Sequence, residues 1–276
     1  MFQLGGSNFP KTREELVAAV TEGVRAILTL PPTKAVVTIE PSTGTSTGAG
    51  SDPNFARVSI DLTAARFMGD RLPPEPKGTG KTQPAGIATR FEIAGHPLYV
   101  RDAAVDLALT AGDARFNYDR DAAGRPILVL ADAKNGTVAV RIRKNDLDAL
   151  VLTAAREGAK QQGVQILEAQ LALTQVNDRS VSADVRVKAK KMFMTATLNL
   201  RGKLAIDDAL NARISGLSVS GEGVLGEMAS AGIRPHVQAL DGRTFPLTAL
   251  PLGDVRIRDV RVQVGDTLIV TANFGS

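Results

Sequence analysis

Several stretches carry residue types that could do chemistry, and each lacks a part. Gly78-Thr79-Gly80-Lys81-Thr82 ends like a phosphate-binding loop, whose backbone N–H groups and Lys would cradle a nucleotide. Glu75 stands where the first glycine of such a loop belongs, Pro73, Pro74 and Pro76 lie just upstream, and no apolar strand leads in, so the stretch reads as a surface loop. There are two histidines, His96 in Gly95-His96-Pro97 and His236 after Pro235, too few for a His-rich metal site. No Gly-x-Ser-x-Gly elbow accompanies them, which leaves Ser-His hydrolysis unsupported. Asp102, Asp106, Asp119 and Asp121 could pair as acid and base or bind calcium, but their spacing matches no ion loop, and Asp102 and Asp106 suit strand exteriors. Without cysteine there is no disulfide, thiolate metal site or cysteine nucleophile. The residues therefore read as a protein that is not an enzyme, with no catalytic residue, metal or cofactor.

Arg186, Lys188, Lys190, Lys191, Arg201 and Lys203 fall on the polar side of two successive alternating runs and could form a stripe for phosphates. That side lacks the aromatic rings on which nucleic-acid bases stack, so an anionic membrane surface ranks above RNA as a partner, and plain solubility above both. The net charge of +4 and a pI near 9.5 point the same way. The interior material is aliphatic: nine Phe, two Tyr and no Trp leave Val, Leu, Ile and Ala to fill the core. No apolar run is long enough to cross a membrane as a helix. The start has no basic stretch followed by an apolar one, and residues 1–10 read as a short polar tether left after a leader is removed.

The elements that must position these residues follow from periodicity. Thr12 and Glu15 have capping-box spacing, and Leu16, Val17, Val20, Val24, Ile27 and Leu28 recur at helical intervals until Pro31 and Pro32. A second helix is predicted from Asn145 with Leu147, Leu150, Val151, Ala154 and Ala159 on one side, and a third over 224–240, bent or split at Gly232 and Pro235. Strict alternation over 180–190 and again over 196–206 predicts strands with one wet, basic face. Asn135-Gly136 between 127–133 and 137–143, Asn177-Asp178 before Ser180, and Gly265-Asp266 between 255–264 and 267–274 predict sequential antiparallel hairpins. Residues 41–53 and 69–86 are rich in Gly, Pro, Ser, Thr and Lys and read as flexible loops, within one elongated domain spanning 1–276.

Toward the end, Phe245-Pro246-Leu247-Thr248-Ala249-Leu250-Pro251-Leu252-Gly253 precedes alternating Arg and Val over 254–262, the Gly265-Asp266 turn and Leu268-Ile269-Val270-Thr271-Ala272. This cadence resembles exported bacterial proteins related to the mycobacterial lipomannan elongation factor, whose chains often close on a proline-rich apolar segment, an Arg/Val strand and a "GLVVTA" strand. The strand from Val138 into Asn145-Asp146-Leu147 is similar to the same family's "DLN" helix start. The resemblance covers 138–274 and departs before it, and Gly265-Asp266-Thr267 replaces the family's final glycine. It implies an α+β, tubular lipid-binding fold, a strongly curved antiparallel sheet wrapped around long amphipathic helices with an aliphatic groove for acyl chains.

The function expected is therefore a lipid-binding or lipid-transfer protein of the bacterial cell envelope, periplasmic or exported and tethered to a membrane, with phospholipid or another acyl lipid as partner. Acyl chains are expected against Leu16, Val20, Val24, Leu147, Leu150, Val151, Leu171, Leu173, Val185, Val187, Leu198 and Leu200. The rival is a solid-cored structural or adaptor protein in which these residues simply pack. An envelope hydrolase using carboxylates ranks third.

Overall fold

A computed structural model describes residues 1–32, 36–42, 53–67, 69, 76–160, 164–191, 194–249 and 255–276. Most of the loop expected at 41–53, and the first part of that at 69–86, lies outside them. In chain order the elements are β1 (Phe2–Gln3), α1 (Arg13–Arg25), β2 (Val37–Pro41), β3 (Asn54–Asp61), β4 (Arg66–Phe67), β5 (Gln83–Val100), β6 (Ala103–Arg120), β7 (Pro126–Arg143), α2 (Lys144–Lys160), β8 (Gln165–Asn177), β9 (Ser180–Lys191), β10 (Met194–Ile206), β11 (Asn211–Glu222), α3 (Gly223–Gln238), β12 (Thr244–Pro246), β13 (Ile257–Val264) and β14 (Thr267–Phe274). By contact density the chain divides into two compact units. Unit 1 is Met1–Val140, Ala249–Asp259 and Thr271–Ser276, and unit 2 is Arg141–Thr248 and Val260–Val270.

The expected fold class is overturned. Strand makes up 58% of the protein in several sheets, and the helices among the described residues are short, at 13, 17 and 16 residues. The physical reason is that two-residue periodicity runs much further along this chain than helical periodicity does. The apolar, turn-like motifs behind the family resemblance are ones that a β-rich chain also supplies. No helix among the described residues is long and apolar enough to cross a membrane.

In unit 1 the helix forms as its sequence dictates. The Thr12 hydroxyl accepts from the Glu15 N–H at 3.2 Å, and the Glu15 carboxylate accepts from the Thr12 N–H at 3.4 Å. This capping box satisfies donors that a helix start leaves orphaned. Leu16, Ala19, Val20, Gly23 and Val24 form the buried face of α1. The N-terminal residues pack beside it: Phe2 pairs with Leu128, and the Gly5 N–H donates to the Ala19 carbonyl at 2.8 Å.

Strand register then sorts side chains by face. Ile39 pairs with Val58, Val58 with Phe91, and Phe91 with Ala111; the next row is Val37, Ile60, Ile93 and Leu109. Partnered residues point to the same side of a sheet, so these rows make one apolar face. The alternate rows, Glu40, Arg57, Arg90 and Thr38, Ser59, Glu92, Thr110, make the opposite face polar. The β3–β5 pair is parallel, which departs from the expected run of antiparallel hairpins. A second departure is Asn135-Gly136, which does not turn the chain: β7 continues through it. Asn135 takes a φ of 49°, a conformation that Asn tolerates, and a Cβ on Gly136 would stand 2.2 Å from the buried Phe274 ring.

Unit 2 holds a sheet in the order β12-β11-β10-β9-β8, with neighbouring pairs antiparallel as the hairpin signals indicate. Val151, Leu152, Ala155 and Ala159 of α2 pack over Ile166, Ala169, Val187 and Ala189, and Asp148 accepts the Leu171 N–H at 2.7 Å. α3 is continuous through Pro235 rather than split there. It lies backbone to backbone on β11, where a Cβ added to Gly221 would sit 1.8 Å from the Gly226 carbonyl group. Gly221→Ala should therefore force the helix off its strand and destabilise the protein by about 1–3 kcal/mol, read as a lower urea midpoint; an unchanged midpoint contradicts this packing.

Candidate functional site

Between α1 and the apolar rows of unit 1 lies a cavity of about 420 Å3. Leu16, Val20 and Val24 of α1 form one wall. Val37 and Ile39 of β2, Val58 and Ile60 of β3, Phe91 and Ile93 of β5, Leu109 and Phe116 of β6 and Leu128 and Leu130 of β7 form the other. Every side chain lining it among the described residues is apolar. Val58, Ile60, Ile93, Leu109 and Leu130 are only half-buried, so the side chains of the described residues do not fill the space. Phe91 and Phe116 meet edge to face with ring centroids 5.1 Å apart and give the floor a stiff section. The volume falls in the roughly 300–1,000 Å3 range of ligand pockets.

The polar face of the same rows is held by a buried carboxylate. Glu92 is 9% exposed and accepts from Arg57 Nη2 at 2.5 Å and from the Arg90 guanidinium. Burial pushes its carboxyl up, but the hydrogen bonds from Arg57 and Arg90 outweigh that and hold it below the ordinary glutamate range. The cluster clips β3 to β5 and leaves no free acid there.

The stretch that resembles a phosphate loop already encloses an anion from its own chain. Asp119, 2% exposed, accepts from the Thr79 hydroxyl at 2.8 Å, the Gly80 N–H at 2.9 Å and the Arg120 N–H at 2.7 Å. A Cβ on Gly78 would stand 2.3 Å from this carboxylate. Asp121 accepts from the Ala123 and Arg125 N–H groups and from Arg125 Nε, closing the turn between β6 and β7. Both carboxylates are structural. Nδ1 of His96 is 3.7 Å from Asp106, with both side chains about half exposed, while Asp102 lies in the turn between β5 and β6 and His236 is exposed near the end of α3. No group of three or more His, Cys, Asp or Glu among the described residues is placed to hold a metal.

The structure divides the residues expected to contact acyl chains. Leu16, Val20 and Val24 line the unit 1 cavity, and the other nine belong to unit 2. There Val187 is buried in the core under α2, with Val151 and Val185 packed around it. Leu147, Leu171 and Leu173 edge a small cavity of about 150 Å3. Leu171, Val185 and Leu200 border a cleft shared with the charged Lys144, Asp148, Asp184, Arg186 and Arg201. Leu150 and Leu198 are half-buried. The sequence reading missed the sheet wall, although Arg57-Val58-Ser59-Ile60-Asp61 and Arg90-Phe91-Glu92-Ile93 alternate clearly. Of the basic stripe, Arg186 pairs with Glu222 at 3.0 Å and Arg201 with Asp184 at 2.6 Å, which partly neutralises it. The Lys191 side chain lies outside the described residues.

Comparison with protein-family models, with curated proteins and with solved structures finds no match to this chain.

The enclosed carboxylate gives a pH test. Burial pushes Asp119 up, but the hydrogen bonds from Thr79, Arg120 and Gly80 hold its carboxyl below the ordinary aspartate value of 3.8. A folded pKa below the unfolded one means that this stability is full above the unfolded value and is lost as pH falls through the folded one. Urea denaturation of wild type should weaken between about pH 5 and 3 more steeply than that of Asp119→Asn; parallel slopes would show that the carboxylate is not clasped.

Proposed function

We propose that this protein binds lipid, holding one acyl chain in the unit 1 cavity between α1 and the sheet. The observation that carries the reading is a cavity of about 420 Å3 whose lining side chains, among the described residues, are all apolar. Exposing half-buried Ile60, Ile93 and Leu109 to water is costly, and an acyl chain that covers them recovers about 0.8 kcal/mol per buried methylene. A dozen methylenes would give roughly 10 kcal/mol before ordering costs, enough for binding without a polar contact. The role we propose is carriage: among the described residues every side chain that lines the cavity is apolar.

Native mass spectrometry followed by organic extraction should find acyl lipid at about one per chain. Ile93→Trp, which places an indole in the cavity, should lower uptake of a fluorescent fatty acid by about tenfold or more while leaving the melting temperature within a few degrees. A large fall in melting temperature with unchanged uptake would mean that the space is a packed core and would overturn the reading.

A further inference from the structure

α3 presents an apolar stripe outward. On a surface helix that stripe faces the core and charged residues face water. Here the face against the sheet is small, with Gly226 and Ser230 buried and Ile233 and Val237 half-buried. At about 100° per residue the opposite stripe is Val224, Met228, Ala231 and Pro235, without one polar side chain. Val224 is 79% exposed and Met228 69%, with Leu225 on the flank at 41%. Leu240 and Phe245 follow, so half of the exposed large hydrophobic side chains among the described residues lie between 224 and 245.

The charges on this helix are ordered. Glu227 and Arg234 are its acid and its base, and both are exposed. Seven residues apart, they stand about two turns from each other along one flank of the apolar stripe. Among the described residues neither side chain has an ion-pair or hydrogen-bonding partner, whereas the charges around the helix are taken. Glu222 pairs with Arg186 at 3.0 Å, Asp241 accepts the Leu217 N–H at 3.0 Å, and Arg243 donates to the Ala239 carbonyl at 3.0 Å. The midpoint of Glu227 and Arg234 falls between Ser230 and Ala231, and that of the stripe from Val224 to Pro235 between Ala229 and Ser230. An acid and a base set symmetrically about the centre of an apolar stripe make a surface complementary to itself.

We propose that α3 is the two-fold interface of a homodimer, packed antiparallel against α3 of a second copy. In a two-fold contact each residue meets its counterpart across the axis. Reversing one helix brings the same flank of both together, so Glu227 of each copy is level with Arg234 of the other and two ion pairs frame the apolar seam. A parallel neighbour would set this flank against that of Leu225 and Gly232, leaving both charges unmatched. Ala231, beside the axis, lets the two backbones approach. The area agrees: Val224, Leu225, Met228, Leu240 and Phe245 leave on the order of 500 Å2 exposed, about the apolar share of the roughly 800 Å2 that each partner buries in a standard interface. An anionic bilayer fits less well, because the Lys and Arg side chains of β9 and β10 lie on the sheet face opposite α3, and α3 itself carries one acid and one base. The inference does not rest on the lipid cavity of unit 1.

The mass of the full chain is followed by sedimentation velocity over a wide range of concentration. Wild type should reach twice the 29.0 kDa of one chain, and Met228→Asp should hold it at the single mass. Glu227→Arg alone and Arg234→Glu alone each set like charges along both sides of the seam and should weaken dimerisation about tenfold or more, with the far-ultraviolet circular dichroism spectrum unchanged. An equal mixture of these two variants should recover the dimer, because each charge then meets its opposite across the axis. Wild type that stays at the single mass at every concentration, whether or not it binds phosphatidylglycerol vesicles, overturns the interface. So does a dimer that Met228→Asp leaves intact, or a mixture of the charge variants that associates no better than either alone.

Discussion

A mismatch of lengths governs unit 1. α1 has thirteen residues and spans about 20 Å, whereas β5 and β6 have eighteen each and run up to about 60 Å. One short helix cannot cover the apolar rows that such strands present. Side chains of ordinary size from α1 reach Val58, Phe91 and Leu109 without filling the space between, and close packing gives way to a cavity. The helix length follows from the sequence: the capping box at Thr12 and Glu15 starts it, and Ile27 and Leu28 leave it in a turn before Thr29 bridges to Arg66.

The floor of that cavity is kept in register from its other side. Over 57–61 of β3 and 90–93 of β5 apolar residues alternate with charged or polar ones, so the pairing that faces Val58 and Ile60 inward also aligns Arg57 and Arg90 around Glu92. A one-residue slip would bury charge and expose the apolar rows together, a double cost that fixes the pairing. The clasp of Thr79 and Gly80 around Asp119 does similar work where β6 ends. Here the donors that a phosphate would use are saturated by a carboxylate, and the resemblance to a nucleotide loop has a structural cause rather than a functional one.

What could be read in advance was local. Capping residues placed α1, alternation placed β9 and β10, and Asn177-Asp178 and Gly265-Asp266 placed two hairpins, because each depends on neighbours in sequence. What could not be read depends on partners far along the chain. Asn135-Gly136 has the chemistry of a hairpin turn, yet β7 runs through it and seats the Phe274 ring against Gly136. The parallel pairing of β3 with β5 brings Val58 beside Phe91, and alternation alone does not choose between partners. So the α1 side of the cavity is legible in the helical spacing of Leu16, Val20 and Val24, while the sheet side, with Val58, Phe91 and Leu109, is not.

The central claim is that the space under α1 takes an acyl chain. The most direct measurement is methyl NMR of the protein with a spin-labelled stearic acid, which broadens signals near the label. The account expects broadening of Val20, Ile60, Ile93 and Leu109, which surround one cavity, with Val187 in the unit 2 core unaffected. Sharp signals from those four residues at saturating fatty acid, or broadening confined to unit 2, would contradict it.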